Sequence, residues 1–407
     1  MDISSSQFNQ CNPIGQFAPL EELLEITKSP KRFTIGLPTE SDPFENRILL
    51  VPSAVAQLSA NGHQVVVQRE AGIRSNFSDQ DYANAGAILV ESAEEVFQCD
   101  VILKLTAPTD SEIALFRPRQ ILISSIQFHR HCKDYFRKLS QKRVSALALE
   151  LIRDDTGMYP ALRAMSEIAG TTSIIIAAEY LRHPEYGRGT MLGGVPGVNP
   201  SQVVILGAGT VGEFAANTAL AMGASVKVFD DSVTKLRSLQ INLKQTLFTS
   251  ILQPAVLSKA IKTADVVIGA IHSKHGRTPM IISELMVGTM KQGSIIVDVS
   301  IDQGGCCETS IPTTLANPVY KKFGVTHYCV PNIASRVPRT ASYAMSNIFT
   351  PIALNIGNEG GLENTLRQNQ GLRLSTYLFN GILTNRVISE KHQLPFQDLD
   401  LLLATLR

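Results

Sequence analysis

Three glycines, Gly207, Gly209 and Gly212, stand in a G-x-G-x-x-G spacing directly after the apolar run Val203–Leu206. Thr210 and Val211 fill the turn, and an alanine-rich stretch of helical composition follows to Met222. A second short apolar run, Ser225–Phe229, ends at Asp230, 21 residues past Gly209. Each glycine has a physical task in such a turn: a tight bend, close approach of backbone to a pyrophosphate, and close helix–strand packing. The helix start offers unpaired N–H groups and the positive end of its dipole to phosphate oxygens. A carboxylate at position 230 accepts hydrogen bonds from a ribose 2′-hydroxyl and repels a 2′-phosphate, so the pattern favours NAD over NADP. The rival reading is a tight glycine turn that binds nothing.

These residues need a scaffold. Strand-like runs recur at Phe33–Leu37, Gln64–Gln68, Ala87–Val90, Val101–Thr106, Ile121–Ile126 and Val144–Leu149. Between them lie helix-like segments at Pro52–Ala60, Asp79–Ala85, Ala93–Phe97, Asp110–Leu115 and Cys132–Ser140. Further strands are expected at Val266–Ala270 and Ser294–Val299, and helices at Leu20–Thr27, Met165–Leu181, Ile282–Met290, Tyr343–Ile356 and Leu399–Leu406. Strands alternating with helices predict an α/β protein of two doubly wound, parallel-sheet, Rossmann-like domains with a ligand cleft between them. The expected division is an N-terminal extension (1–32), a substrate domain (33–160 with 339–407) and an NAD-binding domain (161–338). The helix Met165–Leu181 is too apolar for solvent and is expected to pack at the domain junction.

Composition narrows the function. The chain has 407 residues, 44% hydrophobic and 18% charged, with a net charge of +1. That balance suits an ordinary globular protein and provides no long-range field for nucleic acid or an anionic membrane. No apolar run is long enough to span a bilayer. The six cysteines are dispersed without a C-x-x-C, and no His/Cys spacing fits zinc, so reduced thiols, a cytoplasmic location and no metal are expected.

Other motifs carry a resemblance. They are I-G-L-P-T-E at Ile35–Glu40, E-N-R at Glu45–Arg47, L-K-L-T-A-P at Leu103–Pro108 and M-S-E-I-A-G at Met165–Gly170. L-G-G-V-P-G at Leu192–Gly197, I-D-Q-G-G-C at Ile301–Cys306 and V-P-N-I-A-S at Val330–Ser335 complete the set. With the glycine turn, and in this order over residues 33–400, they resemble the alanine dehydrogenase and proton-translocating transhydrogenase alpha-subunit family. G-R-G-T-M-L-G-G-V-P-G and the short connection after Asp230 resemble the alanine dehydrogenase branch. The resemblance implies NAD in the second domain, amino-acid/2-oxo-acid chemistry in the cleft, and a homo-oligomer, either hexamer or dimer.

It also implies roles. Arg47 matches the arginine that holds the substrate carboxylate, a planar anion that a guanidinium fork grips bidentately; the rival reading is a salt bridge to Glu45. Asp302 matches the aspartate at the cofactor–substrate junction, against a capping role. Ser166, Asn332 and Lys235 match cofactor-contacting positions, against a helix N-cap, a turn residue and a solvated helix lysine. Ile271 and Ile301, just past two expected strands, join the candidate cofactor contacts.

Two positions depart from the pattern. Where the dehydrogenases have K-V-K-E-P, this chain has Lys104-Leu105-Thr106-Ala107-Pro108, so a cationic lysine becomes Thr106. The acid/base histidine becomes Gln127, which neither takes nor gives a proton near neutrality. The candidate catalytic positions are thus Asp302 and Gln127, and the candidate substrate-binding positions Arg47, Lys104 and Thr106. Lys104 and His129 are the candidate substitutes for the missing groups. The expected function is an NAD-dependent dehydrogenase of the alanine dehydrogenase type. The alternatives are a member with a different substrate or transhydrogenase-like hydride transfer, and an NAD-sensing protein that is not an enzyme.

Overall fold

The structure is a computed structural model describing residues 30–126, 131–273 and 276–405. The expected helix Leu20–Thr27, Gln127 and His129 lie outside the described residues. Among the described residues, fifteen strands form two sheets. The first contains β1 (Thr34–Leu37), β2 (Gln64–Gln68), β3 (Ile88–Val90), β4 (Val101–Leu103), β5 (Ile121–Ser124) and β6 (Ser145–Ala148). The second contains β7 (Gln202–Leu206), β8 (Ser225–Phe229), β9 (Phe248–Ser250), β10 (Val266–Gly269), β11 (Ile295–Asp298), β12 (Val319–Lys322) and β13 (Val325–Tyr328). The chain then returns to the first sheet with β14 (Thr376–Phe379) and β15 (Ile382–Leu383).

The parallel parts share one strand order. The first sheet runs β3-β2-β1-β4-β5-β6, and the second β9-β8-β7-β10-β11-β13. This is the doubly wound arrangement that the strand–helix alternation predicts. Each sheet also has an antiparallel margin: β14 and β15 beyond β6, and β12 beyond β13. In each sheet the order reverses once, between β1 and β4 and between β7 and β10. Open α/β sheets place ligands in the crevice at the carboxyl ends of those strands, where the loops diverge.

The strands are apolar on both faces because both faces are covered. Ile35, Leu37, Val101, Leu103, Ile121 and Ile123 pack on one side of the first sheet, while Ile102, Leu122, Ala146 and Ala148 pack on the other. The second sheet divides likewise into Val203, Ile205, Val266 and Ile268 against Val204, Leu206 and Val267. The helix Pro160–Leu181 joins the two units: Met165 packs on the first core and Ala169–Leu181 contributes to the second. It begins at Pro160, so Ser166 sits inside the helix and is not its N-cap. Gly170 lets this helix close on the helix Thr210–Ala221, because a Cβ there would collide with the Val211 carbonyl oxygen. The helix Pro338–Asn358 returns to the first core through Met345, Phe349, Ala353 and Ile356. Among the described residues, no helix is long and apolar enough to cross a membrane.

Candidate active site

The crevice of the second sheet is built from backbone. Gly207 follows β7 with φ of +107°, and a Cβ there would meet the Ala270 carbonyl from the loop after β10. Gly212 lies against the Gly207 carbonyl oxygen, closer than any Cβ allows. Gly209 is different: nothing lies within 4 Å of the place its Cβ would occupy. It is also the N-cap of Thr210–Ala221, and no side chain caps that helix. Open space in front of an uncapped helix start suits a phosphate. Asp230, buried at the end of β8, accepts hydrogen bonds from Ala208 N (2.8 Å) and Ser232 N (2.8 Å). The Lys235 ammonium lies 3.7 Å from its Oδ2. An ionised carboxylate has about four acceptor positions, so capacity for ribose hydroxyls remains. Ile271 N donates to Ser300 Oγ (2.9 Å), which ties the β10 loop to the β11 loop, and Ile301 is buried beneath. These residues fit a dinucleotide: space and amides for its pyrophosphate, and a carboxylate for its ribose.

The loop after β11 carries Asp302. Buried Asp298 accepts from Ser300 N (3.1 Å), Cys306 N (3.0 Å) and Ser310 Oγ (2.7 Å). Burial pushes its carboxyl above the usual range, and those donors pull back only part of the rise. Gly304 and Gly305, with φ of +95° and +78°, turn the chain so that Cys306 returns to Asp298. Asp302 is held at the rim of this turn and accepts from Asn332 N (2.9 Å).

The crevice of the first sheet is built from side chains. The segment between β1 and the helix Pro52–Ala60 brings Glu40, Glu45 and Arg47 to the carboxyl edge. Arg47 Nε and Nη2 donate to the two Glu45 oxygens at 2.7 and 2.5 Å, and Nη1 points to the Met165 sulfur at 3.1 Å. The salt bridge to Glu45 therefore exists, but its side chains are only 11% and 4% exposed. Burial pushes the Glu45 carboxyl up, yet the Arg47 charge and hydrogen bonds, with help from Asn332, outweigh it and leave the pKa below its ordinary 4.5. One edge of the guanidinium holds Glu45. On the other side Nη1 meets the Met165 sulfur, and a guanidinium nitrogen carries a second N–H beyond one such contact.

Lys104 and Thr106 converge on another carboxylate. Glu40 accepts from Leu105 N (2.5 Å), Thr106 N (3.1 Å) and Thr106 Oγ1 (2.5 Å). Those two amides are the reason that β4 stops at Leu103, short of the expected Thr106. Lys104 is wholly buried; its Nζ donates to Glu112 (2.8 Å) and lies 3.6 Å from Glu40. The structure therefore places the Lys104 ammonium in an internal ion-pair group with Glu112 and Glu40. Ser125 Oγ and Ile126 N donate to Glu150 Oε1, which fixes the backbone up to the residue before Gln127. Ser166 is half-buried in its helix, one residue past Met165.

The two crevices are joined. Asn332 sits in the left-handed region (φ +55°, ψ +50°), which asparagine tolerates. Its amide N–H reaches Asp302 in the second unit, and its side-chain Nδ2 donates to Glu45 Oε2 (2.9 Å) in the first. Ser335 Oγ accepts from Asn46 N and donates to the Phe44 carbonyl, and the Ser342 and Ser346 hydroxyls accept from Ile48 N and Val51 N. This stitching connects segments almost 300 residues apart, so no sequence spacing announced it. Glu40 stood within a recognised motif without a role, and Glu45 had one only as the rival salt-bridge partner of Arg47, until the geometry showed their further partners.

Comparison with known proteins places this arrangement. The "Alanine dehydrogenase/PNT, N-terminal domain" family matches residues 36–169, and the corresponding C-terminal domain family matches residues 173–386. The chain belongs to the alanine dehydrogenase/PNT family. Alanine dehydrogenase of Methanococcus maripaludis is 38% identical over 89% of this chain and 97% of its own length. That of Bacillus subtilis is 36% identical over 87% and 93%. A solved L-alanine dehydrogenase superposes with a TM-score of 0.82 at 35% identity, covering 88% of this chain and 98% of its own. A transhydrogenase from Sinorhizobium meliloti, at 23% identity and TM-score 0.74, shares the fold. An amino-acid oxidoreductase of the alanine dehydrogenase kind is the activity that family membership supports. Among the described residues, no cluster of His, Cys, Asp and Glu is placed to hold a metal ion.

Proposed function

We propose that the chain is an NAD-dependent amino-acid dehydrogenase of the alanine dehydrogenase type: L-alanine, NAD⁺ and water give pyruvate, ammonium, NADH and a proton. The observation that carries this reading is the Asp302–Asn332–Glu45–Arg47 chain of contacts, which ties a dinucleotide-shaped crevice to a buried arginine whose Nη1, among the described residues, meets only the Met165 sulfur as a side-chain hydrogen-bond partner. A nicotinamide dinucleotide, when bound, supplies the hydride acceptor. Gly209 and the start of Thr210–Ala221 would face its pyrophosphate and Asp230 its adenosine ribose, with Lys235, Ile271, Ile301, Ser166 and Asn332 as the surrounding contacts.

On the substrate side, Arg47 grips the carboxylate through its Nη1/Nη2 edge. Asp302 accepts a hydrogen bond from the attacking water or the departing ammonia. Thr106 stands where the family pattern has a lysine, and it gives its hydroxyl proton to Glu40, so the carbonyl oxygen of a 2-oxo acid loses a charge-assisted donor. That difference supports a second reading, a member that prefers another amino or 2-oxo acid or transfers hydride without deaminating. A cofactor sensor would need neither Arg47 nor Asp302. The experiment is reductive amination with NADH, ammonium and a panel of 2-oxo acids. Oxidation of NADH with pyruvate supports the first reading, and oxidation only with other acids supports the second. No oxidation with any acid contradicts both.

A further inference from the structure

The environment of Glu40 differs from that of the other carboxylates in this crevice. It sits just past the carboxyl end of β1, beside the residues that follow β4, at the point where the strand order of the first sheet reverses. Of Glu40, Lys104, Leu105 and Thr106, only Thr106 escapes burial. A path from the crevice to Glu40 therefore runs through the Thr106 hydroxyl, 2.5 Å from Glu40 Oε2. Thr106 donates its hydroxyl proton inward, which leaves its lone pairs to face outward as acceptors. In this state the residue receives a proton from the crevice and does not supply one.

We propose that Glu40 and Thr106 form a carboxylate–hydroxyl relay that removes the proton from the substrate's ammonium group and returns it in the reverse reaction. The inference rests on the amino-acid dehydrogenase reading above. The step balances as a proton transfer. The N–H bond of the ammonium breaks and an O–H bond forms at Thr106 Oγ1. The original Thr106 hydroxyl proton passes to Glu40 Oε2, giving the neutral amine and a carboxylic acid. The relay takes over the proton-handling task for which Gln127 has no chemistry.

The electrostatics agree with the geometry. Burial pushes the Glu40 carboxyl above its ordinary 4.5; Lys104, the Thr106 hydroxyl and the Leu105 amide pull it back, and the Glu45 charge adds to the rise. The charged groups around it are Lys104 at 3.6 Å, Glu112 behind Lys104, and Glu45 with its partner Arg47. Glu45 is the poorer acceptor, because Arg47 holds it in the anionic form. An acid/base whose pKa lies nearer the working pH transfers protons more effectively.

Steady-state kinetics over pH, with the best amino acid from the panel, tests the relay. Thr106→Val removes the hydroxyl and keeps the shape, and it is expected to lower kcat by about 10²–10⁴-fold with little change in KM. Thr106→Ser restores the hydroxyl and recovers most of that loss. Glu40→Gln is expected to abolish the acidic limb of the kcat/KM profile, which in the wild type falls as pH drops through the raised Glu40 pKa. Lys104 loses one of its two carboxylates in that variant, so Thr106→Val serves as the arm least dependent on folding. Thr106→Val activity within about threefold of wild type overturns the relay and leaves the dehydrogenase reading standing. An unchanged acidic limb in folded Glu40→Gln does the same. Failure of the wild type to oxidise any amino acid overturns both.

Discussion

The two sheets share a strand order, yet their crevices are made of different material. After β7 the chain needs only residues 207–209 to enter its next helix, so that helix start and its amides stand at the strand end. After β1 the chain runs through residues 38–51 before the helix Pro52–Ala60 begins, and that segment supplies Glu40, Glu45 and Arg47. A short glycine turn presents a positive backbone surface to phosphates. A long polar segment presents side chains to a small charged substrate. The spacing between strand and helix thus divides the labour between cofactor and substrate.

Arg47→Ala gives the largest expected effect on this division. Turnover falls by 10³-fold or more, on the order of 4 kcal/mol, because the substrate carboxylate loses its grip. Leaving Glu45 buried and unpaired also costs about 3–5 kcal/mol of stability. The sign with pH follows from the lowered Glu45 pKa. Its contribution is present above the unfolded carboxylate value and is lost as pH falls through the folded one, so acid melts should show this loss in the wild type but not in the variant. Next is Gly212→Ala, whose Cβ would strike the Gly207 carbonyl oxygen. Calorimetric melting should show a loss of about 3 kcal/mol, at the upper end of ordinary overpacking. Thr106→Lys sharpens the comparison from the other side. A cation returned to the crevice should lower KM for the 2-oxo acid roughly tenfold, while loss of the hydroxyl lowers kcat; kinetics on one preparation reads both. The smallest effect is Asp230→Asn, expected to narrow the preference for NADH over NADPH by about tenfold in competitive titration.

The same contrast explains what the sequence made legible. Gly207, Gly209 and Gly212 answer to backbone geometry within six residues, so their spacing alone exposed the turn and the strands around it. The parallel strands β1, β2, β4–β8, β10 and β11 stood out as short apolar runs, all but β2 and β8 of them buried on both faces. β12 did not, because Val319–Lys322 carries two lysines and lies at a sheet margin. β14 and β15 were not expected, because Thr376–Phe379 and Ile382–Leu383 are only four and two residues long. Arg47, Asp302 and Asn332 were legible as motif positions, but the bond from Asn332 to Glu45 spans 287 residues and has no local signature. Lys104 was legible as a motif position, but its ion pairs have no local signature either. The Glu112 and Glu40 carboxylates hold its ammonium in the interior.

The division of labour itself is tested most directly by titrating NADH into the wild type, Gly209→Ala and Arg47→Ala. Gly209 has open space where its Cβ would go, so alanine there leaves the free protein intact and intrudes only on a bound pyrophosphate. The account predicts that Gly209→Ala weakens NADH binding at least about tenfold, or 1.4 kcal/mol, with melting nearly unchanged. It predicts that folded Arg47→Ala binds NADH within about twofold of the wild type. Wild-type affinity in Gly209→Ala, or lost affinity in folded Arg47→Ala, would contradict it.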